Sequence, residues 1–393
     1  MVDGFVASGF EAVRSAFADG QTTDEGGAQL CVYRDGAVVV DLWTGGDPVS
    51  GKDWDGESLA VQMSVSKGVT ATCAHILVDR GQLALDAPVQ EYWPEFAEAG
   101  KAEVTVAELL SHRAGLSSFD PGAGIGAQEL TDWSACVSAL AGMTPLWKPG
   151  TALYYHSLTW GYLAGELIRR VTGKSVGAYL AAEIADPLGL SLWLGLPESE
   201  EPKVIPQFHR DRWPGRDEVA AALSGAGIDV SARLVEATLG TVATRDAGID
   251  LLNTRAGHAA EVPAGNVIAN ARALARMYAA TIGEVDGVRL LSSETVAEAR
   301  QPQTDGLGHP APLDRLPVTH RFAQGYELTR PVSPMLGEGS FGHLGTGGRL
   351  AFAHPESGVA VGYSCTNMTG TDSVGPDPRW SPWLAALRDG LGR

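Results

Sequence analysis

The sequence predicts an α+β (α/β) fold, with an antiparallel sheet flanked by helices and joined to a mostly helical domain. Three observations point there. One hairpin pattern lies near each end of the 393-residue chain, helical periodicity dominates between them, and the chain closes on a segment patterned as an amphipathic helix. Strands at both ends with helices between them argue for a mixed layer built from both termini around a helical insertion. Residues 1–80 and 285–393 are assigned to the first domain and residues 81–284 to the second, with the functional site expected between them.

Taken in order, the first twenty residues read as a short amphipathic helix. Residues 28–44 follow as a hairpin, in which AQLCVYR and AVVVDLW are β-rich runs joined by Asp35-Gly36, a strong turn signal. After Ser64, the residues Val65, Val69, Cys73 and Ile76 recur at steps of four, four and three, one face of a helix that ends near Gly81. A further helix starts at Thr105. Thr105 and Glu108 have capping-box spacing, Val104 and Leu109 are placed for a hydrophobic staple, and Gly115 is a natural stop. Helices are also expected from about 160 to 172, ending at Gly173, and from Ala271, with Asn270 as N-cap. Residues 348–366 give the second hairpin, turning at Pro355-Glu356-Ser357-Gly358, and WSPWLAALRDGL gives the terminal helix.

Composition excludes several classes. Apolar residues make up 44% and charged residues 19%, as in an ordinary globular protein. A formal net charge of −18 repels a phosphate backbone, so no nucleic-acid partner is expected. Cys31, Cys73, Cys136 and Cys365 are scattered and form no C-x-x-C pair, which indicates neither a disulfide framework nor zinc. The nine histidines contain no H-E-x-x-H and no paired ligand spacing, so no metal and no cofactor are expected. There is no basic n-region with an apolar run and no stretch of membrane-span length, so the expectation is a cytoplasmic protein without a membrane partner. The sequence carries no signal for oligomeric state.

Chemistry concentrates in three places. The first is Ser64-Val65-Ser66-Lys67, where Ser64 enters the first turn of a helix and Lys67 lies one turn on, on the same side. A serine hydroxyl needs a base, and a lysine supplies one when burial or positive neighbours lower its pKa. The helix N-terminus offers N–H groups to a developing oxyanion. On spacing alone an N-cap serine with a solvated lysine is the better reading, and the chemical one needs partners elsewhere in the chain. The second place is Tyr155-His156-Ser157 before a helix, where a tyrosine acts as base or proton shuttle if a cation stabilises phenolate. A loop tyrosine with no chemical role fits as well. The third is Gly342-His343-Leu344-Gly345-Thr346-Gly347-Gly348, whose glycines allow close backbone approach to a ligand or, alternatively, a simple bulge.

The order and separation of these three elements resemble the serine β-lactamase and penicillin-binding-protein superfamily, with its S-x-x-K motif. More closely, the sequence is similar to family VIII carboxylesterases and class C-type β-lactamase relatives. There S-x-x-K is followed by Y-x-N or Y-x-S, and K-T-G gives way to H-x-G or W-x-G. The segments LALDAPVQEYWPEF (83–96), VAELLSHRAGL (106–116), DPLGL (186–190) and NARALARMY (270–278) also look like the family, and residues 197–262 look least like it.

The resemblance implies a β-lactamase/transpeptidase-like fold and a site made of named residues. Ser64 would be the acylated nucleophile, Lys67 its activating lysine and Tyr155 the second general base and acid. Backbone N–H groups of Ser64 and Thr346 would form the oxyanion hole, and Ser157, His343 and Gly345 would border the substrate. Ser157 stands where lactamases have Asn, and His343 where they have Lys. Both changes weaken recognition of a carboxylated lactam. The implied function is a carboxylesterase acting on small acyl esters through an acyl-Ser64 intermediate. A β-lactamase or D-amino-acid peptidase, and an acyltransferase using the same serine, stand as alternatives.

Other motifs in the chain have plainer readings. Gly173-Lys174-Ser175-Val176-Gly177 matches G-x-S-x-G, but it lies between two helical patterns, where Gly173 fits a helix stop and Ser175 an N-cap. Its G-K-S cannot close a P-loop, because residue 168 is Ile. His112 is expected to be a structural hydrogen-bonding group, and His156 has no assigned role. Trp147, Trp160 and segment 197–262 are the residues expected to shape an apolar pocket.

Overall fold

The computed structural model describes residues 2–22, 24–209, 213–369 and 375–392. Seven strands form one antiparallel sheet: β1 (Asp3–Val6), β2 (Ala28–Arg34), β3 (Ala37–Thr44), β4 (Glu327–Leu328), β5 (Phe341–Gly345), β6 (Arg349–His354) and β7 (Val359–Cys365), in the order β1-β3-β2-β7-β6-β5-β4. The two hairpins read from sequence are β2–β3 and β6–β7, and they meet where β2 pairs with β7 in the middle of the sheet. A single antiparallel sheet with strands from both ends of the chain is the arrangement that the hairpin positions predict.

Both faces of the sheet are covered, which is why AQLCVYR is buried almost throughout rather than alternating. Leu30 and Val32 point to one face and Cys31 and Tyr33 to the other. On the first face lie the two terminal helices, α1 (Glu11–Gln21) and the C-terminal Ser381–Leu391. They contribute Val13, Phe17, Trp383, Leu384 and Leu387 to a core with Leu42, Phe352, Val361 and Tyr363. On the second face lie α2 (Val65–Asp79) and the helix Ala271–Ile282, continuous with the larger core of the helical region.

Sequence expectations are corrected at three points. The first twenty residues are not one helix. Residues 3–6 pair with β3, where Gly4 takes φ +105° and a Cβ would lie 2.0 Å from Asp41 O, and the helix begins only at Glu11. The helix capped at Thr105 does carry its capping box, but it stops at Leu110. His112 at φ +63° turns the chain, and Gly115 serves the turn that follows rather than the helix. Finally, α2 is not amphipathic. Every residue from Val65 to Leu77 is buried, because sheet and helices enclose it on all sides. Its polar residues are therefore tied internally: Thr70 donates to Pro263 O, Thr72 to Gly68 O, and His75 bonds Gln324 O. Gly68 leaves the space that Tyr278 fills, since a Cβ there would lie 2.1 Å from the tyrosine oxygen.

The four cysteines are buried and form no disulfide. Among the described residues no helix is long and apolar enough to cross a membrane.

Candidate active site

The short strand Ala60–Val61 leads into α2 through Met63, a non-glycine residue at φ +50°. This sharp entry puts Ser64 at the N-cap, with its side chain free of any capping bond. Strain of this kind persists only where the surroundings over-determine it, and Met63 is held in the core formed by Leu59, Val61, Ile249, Leu252 and Ile268.

Two polar atoms converge on Ser64 Oγ. Tyr155 Oη donates to Ser64 Oγ at 2.8 Å, and Lys67 Nζ lies 3.2 Å from the same oxygen. Lys67 Nζ also donates to Ala264 O at 3.1 Å and sits 4.9 Å from the centre of the Tyr155 ring. The lysine is wholly buried, and no carboxylate pairs with it among the described residues. Burial therefore pushes its amine well below the usual lysine range, with the buried Glu327 opposing that shift. Burial also lifts the Tyr155 phenol above its ordinary range, while the bond to Ser64 opposes the rise. Both effects favour the neutral forms. A neutral Lys67 can accept the Ser64 proton while Tyr155 donates to the same oxygen.

Tyr155 is aimed by a histidine clamp. The His156 ring bonds Tyr154 O through Nδ1 at 2.7 Å and accepts Leu116 N–H through Nε2 at 3.1 Å. Its own backbone N–H donates to His112 Nδ1 at 3.0 Å. Burial lowers the His156 pKa to about 3, and the ring stays neutral. His156 thus has both nitrogens engaged and holds the loop. His112 is likewise a hydrogen-bonding group, with its ring 5.1 Å from that of Tyr155. His320 and Phe322 stack on Tyr155 at 5.0 and 5.9 Å.

Thr346 lies in the turn between β5 and β6. Neither its N–H nor that of Ser64 has a hydrogen-bond partner among the described residues. Both residues border the two cavities that flank the serine. One is a cleft of about 610 Å³ lined also by Tyr155, His320, Arg330 and His343. The other is a pocket of about 120 Å³ bordered by Ser157, Leu158, Trp213, Ile249 and Leu252.

The remaining expected residues fall out unequally. Ser157 borders the small pocket and His343 the large cleft. His343 is buried, its Nδ1 lies 2.6 Å from Leu344 O and 3.5 Å from Glu327 Oε2, and burial drives its pKa well down. It presents no charge to the cleft. Gly345 faces the entrance to α2 rather than either cavity, and a Cβ there would lie 2.6 Å from Gln62 O.

Trp160 is core, with Nε1 bonded to Leu110 O, and Trp147 packs edge-on against Tyr154 and His156. The pocket tryptophan is instead Trp213, inside segment 197–262. Sequence reasoning also passed over Glu327, wholly buried and paired with Arg330 at the cleft, where it accepts Leu344 N–H at 2.9 Å. A lone Glu followed three residues later by Arg carries no distinguishing signal.

Ser175 is removed from this chemistry. It caps the helix Val176–Leu180 by accepting Ala178 N–H, and it donates to Glu261 at 2.6 Å. The residues before it are helical, so no strand-to-helix elbow exists. Ser175→Ala is expected to leave kcat/KM within about twofold and to cost about 1 kcal/mol of stability, measured by denaturant unfolding, as for loss of an N-cap.

A seven-stranded antiparallel sheet under a buried helix that starts Ser-x-x-Lys, with a tyrosine on the serine, defines the class of β-lactamase-fold hydrolases. The family model described as Beta-lactamase matches residues 13–380, and the chain belongs to that family. It is 36% identical over 345 residues to the esterase/β-lactamase LipL of Mycobacterium tuberculosis, covering 85% of this chain and 76% of that one. Among solved structures it resembles a family VIII carboxylesterase (TM-score 0.81, 31% identity, 98% of each chain). It also resembles a penicillin-binding-protein homologue from Caulobacter crescentus (TM-score 0.84, 32% identity, 99% of this chain and 100% of that one).

Proposed function

We propose that the protein is a serine carboxylesterase acting on small acyl esters in the cytoplasm, with Ser64 acylated in the reaction. The observation that carries this reading is Ser64 Oγ within 2.8 Å of Tyr155 Oη and 3.2 Å of Lys67 Nζ, beside two backbone N–H groups with no partner among the described residues. Lys67 takes the Ser64 proton as Oγ attacks the ester carbonyl, and the oxyanion rests on the N–H groups of Ser64 and Thr346. Tyr155 passes its proton to the departing alkoxide, and Lys67 returns the serine's proton to Tyr155. The same pair then takes a proton from water as it attacks the acyl group.

The choice of ester over lactam rests on what borders the cleft. The neutral, buried His343 offers a substrate carboxylate no charge, and Ser157 offers no amide. The small pocket of about 120 Å³ supports a short acyl group. One observation favours residual lactam opening as a second reading: Arg330 borders the cleft, although Glu327 neutralises it. The name of the M. tuberculosis relative joins both activities.

The test is hydrolysis of p-nitrophenyl acetate, butyrate and decanoate and of a chromogenic cephalosporin, with wild type and Ser64→Ala. Fast cleavage of the short esters with slow decanoate and cephalosporin turnover, all lost in the variant, supports the reading. Ester turnover that survives the substitution overturns it. The pH dependence is a second expectation. Raising pH removes the Lys67 proton, so kcat/KM should climb with a midpoint below the ordinary lysine value of about 10.4. The descending limb, from Tyr155 ionisation, should lie above the ordinary tyrosine value of about 10. A rising midpoint at the ordinary lysine value would remove Lys67 as the base.

A further inference from the structure

The turn carrying Thr346 is held by more than its two strands. Four consecutive carbonyls are occupied. Gly345 O accepts Gly348 N–H at 3.0 Å, and Thr346 O accepts Arg349 Nη1 at 3.0 Å. Gly347 O accepts Arg379 Nη2 at 2.8 Å and the Cys365 thiol at 3.4 Å. Gly348 O accepts Trp380 Nε1 at 2.8 Å. A turn at the surface would leave such carbonyls to water. Here side chains replace the water, and Arg349, Arg379 and Trp380 are at most 3% exposed.

Burying two guanidinium groups is costly unless each is well partnered. Arg379 is matched by Asp377, which takes bonds from Nε and Nη2, and by Asp24, which accepts from Nη1 at 2.9 Å. Arg349 has no carboxylate within ion-pair distance among the described residues, and besides Thr346 O its partner is Gln207 Oε1 at 3.2 Å. The approach of both guanidinium groups depends on glycine. A Cβ on Gly347, at φ +83°, would lie 2.3 Å from Arg349 Nη1, and one on Gly348, at φ +100°, would lie 1.9 Å from Arg379 Nη2.

We propose that Arg349, Arg379 and Trp380 are positioning residues: they lock the three peptide planes that follow Thr346 and so fix the Gly348 N–H that holds Gly345 O, the carbonyl of the plane from which the Thr346 N–H is aimed at the oxyanion. The inference rests on the serine-esterase reading above. A donor contributes fully to the transition state only if it need not reorient as charge develops. Productive geometry tolerates displacements of about 0.5 Å. Two adjacent glycines leave such a turn more conformational freedom than other residues would.

The test uses Arg349→Met, Trp380→Phe and Arg379→Lys in the full chain, with melting temperature as the check on folding. The readouts are kcat and KM for p-nitrophenyl butyrate and the inhibition constant of phenylboronic acid, whose tetrahedral adduct on Ser64 would place an oxygen at the Thr346 N–H. The expected result is a fall in kcat of about 10- to 100-fold, somewhat less than removal of a whole oxyanion donor. KM should stay within about threefold, boronate affinity should fall in parallel with kcat, and the pH midpoint should not move. Arg379→Lys, which keeps the charge but loses the planar fork, should lose less than Trp380→Phe and Arg349→Met combined.

Folded variants with wild-type kcat and boronate affinity would overturn the inference. So would a rise in KM at constant kcat, since Arg379 and Trp380 also border the cleft and would then be only its wall. If Arg379→Lys does not fold, the other two decide the matter. Failure of the underlying reading looks different, because ester turnover would then persist in Ser64→Ala.

Discussion

Ser64→Ala is expected to lower kcat for p-nitrophenyl butyrate by at least about 10⁴-fold, and Lys67→Ala by about as much. The double variant should be no slower than either single one. The reason lies in the geometry. Lys67 has no task at the serine except the proton on Oγ, and an unactivated serine hydroxyl is a poor nucleophile. Without the base the serine does little, and without the serine the base has nothing to deprotonate. Ser64→Ala should also leave the melting temperature close to wild type, because its hydroxyl makes no cap bond to α2. The measurement is a thermodynamic cycle of kcat values from the four proteins. Losses that multiply in the double variant would mean that the two residues act independently, and the proton path would have to be redrawn.

Tyr155→Phe carries the second large effect, a fall in kcat of about 10²- to 10⁴-fold, the usual worth of a general acid–base group. The substitution removes one oxygen and leaves the ring stacked on His320 and Phe322 against His112. Folding and KM should therefore change little. Both half-reactions use the phenol, so acyl-Ser64 should form slowly and also decay slowly. Intact-protein mass spectrometry during single turnover reads both rates. A variant within about threefold of wild type would leave Lys67 as the sole proton carrier and reduce Tyr155 to a wall of the cleft.

Legibility in the sequence followed the range of the interactions. Hairpins at Asp35-Gly36 and at residues 355–358 were readable because turn chemistry is local. So were the caps at Thr105, Ser175 and Asn270, each a bond between residues three apart. The strand at residues 3–6 was not, since it pairs with β3, more than thirty residues on. The helix capped at Thr105 ended early for a similar reason. His112 turns the chain at that point, placing its ring beside Tyr155, and nothing local to residues 105–115 encodes that demand.

The candidate site divides in the same way. By itself the sequence determined the sheet-and-helix class, the order of the S-x-x-K, Y-x-S and H-x-G elements, and the pairing of Ser64 with Lys67 one helical turn apart. These are properties of short stretches of chain. The tertiary structure decided the rest. It brought Tyr155 within 2.8 Å of Ser64, buried α2 on every side, and placed Trp213 rather than Trp147 or Trp160 at the small pocket. It also set the protonation state on which the proposed chemistry depends. Lys67 and His343 favour their neutral forms because surrounding segments remove them from water, and a pKa responds to everything packed around a group rather than to its neighbours in sequence.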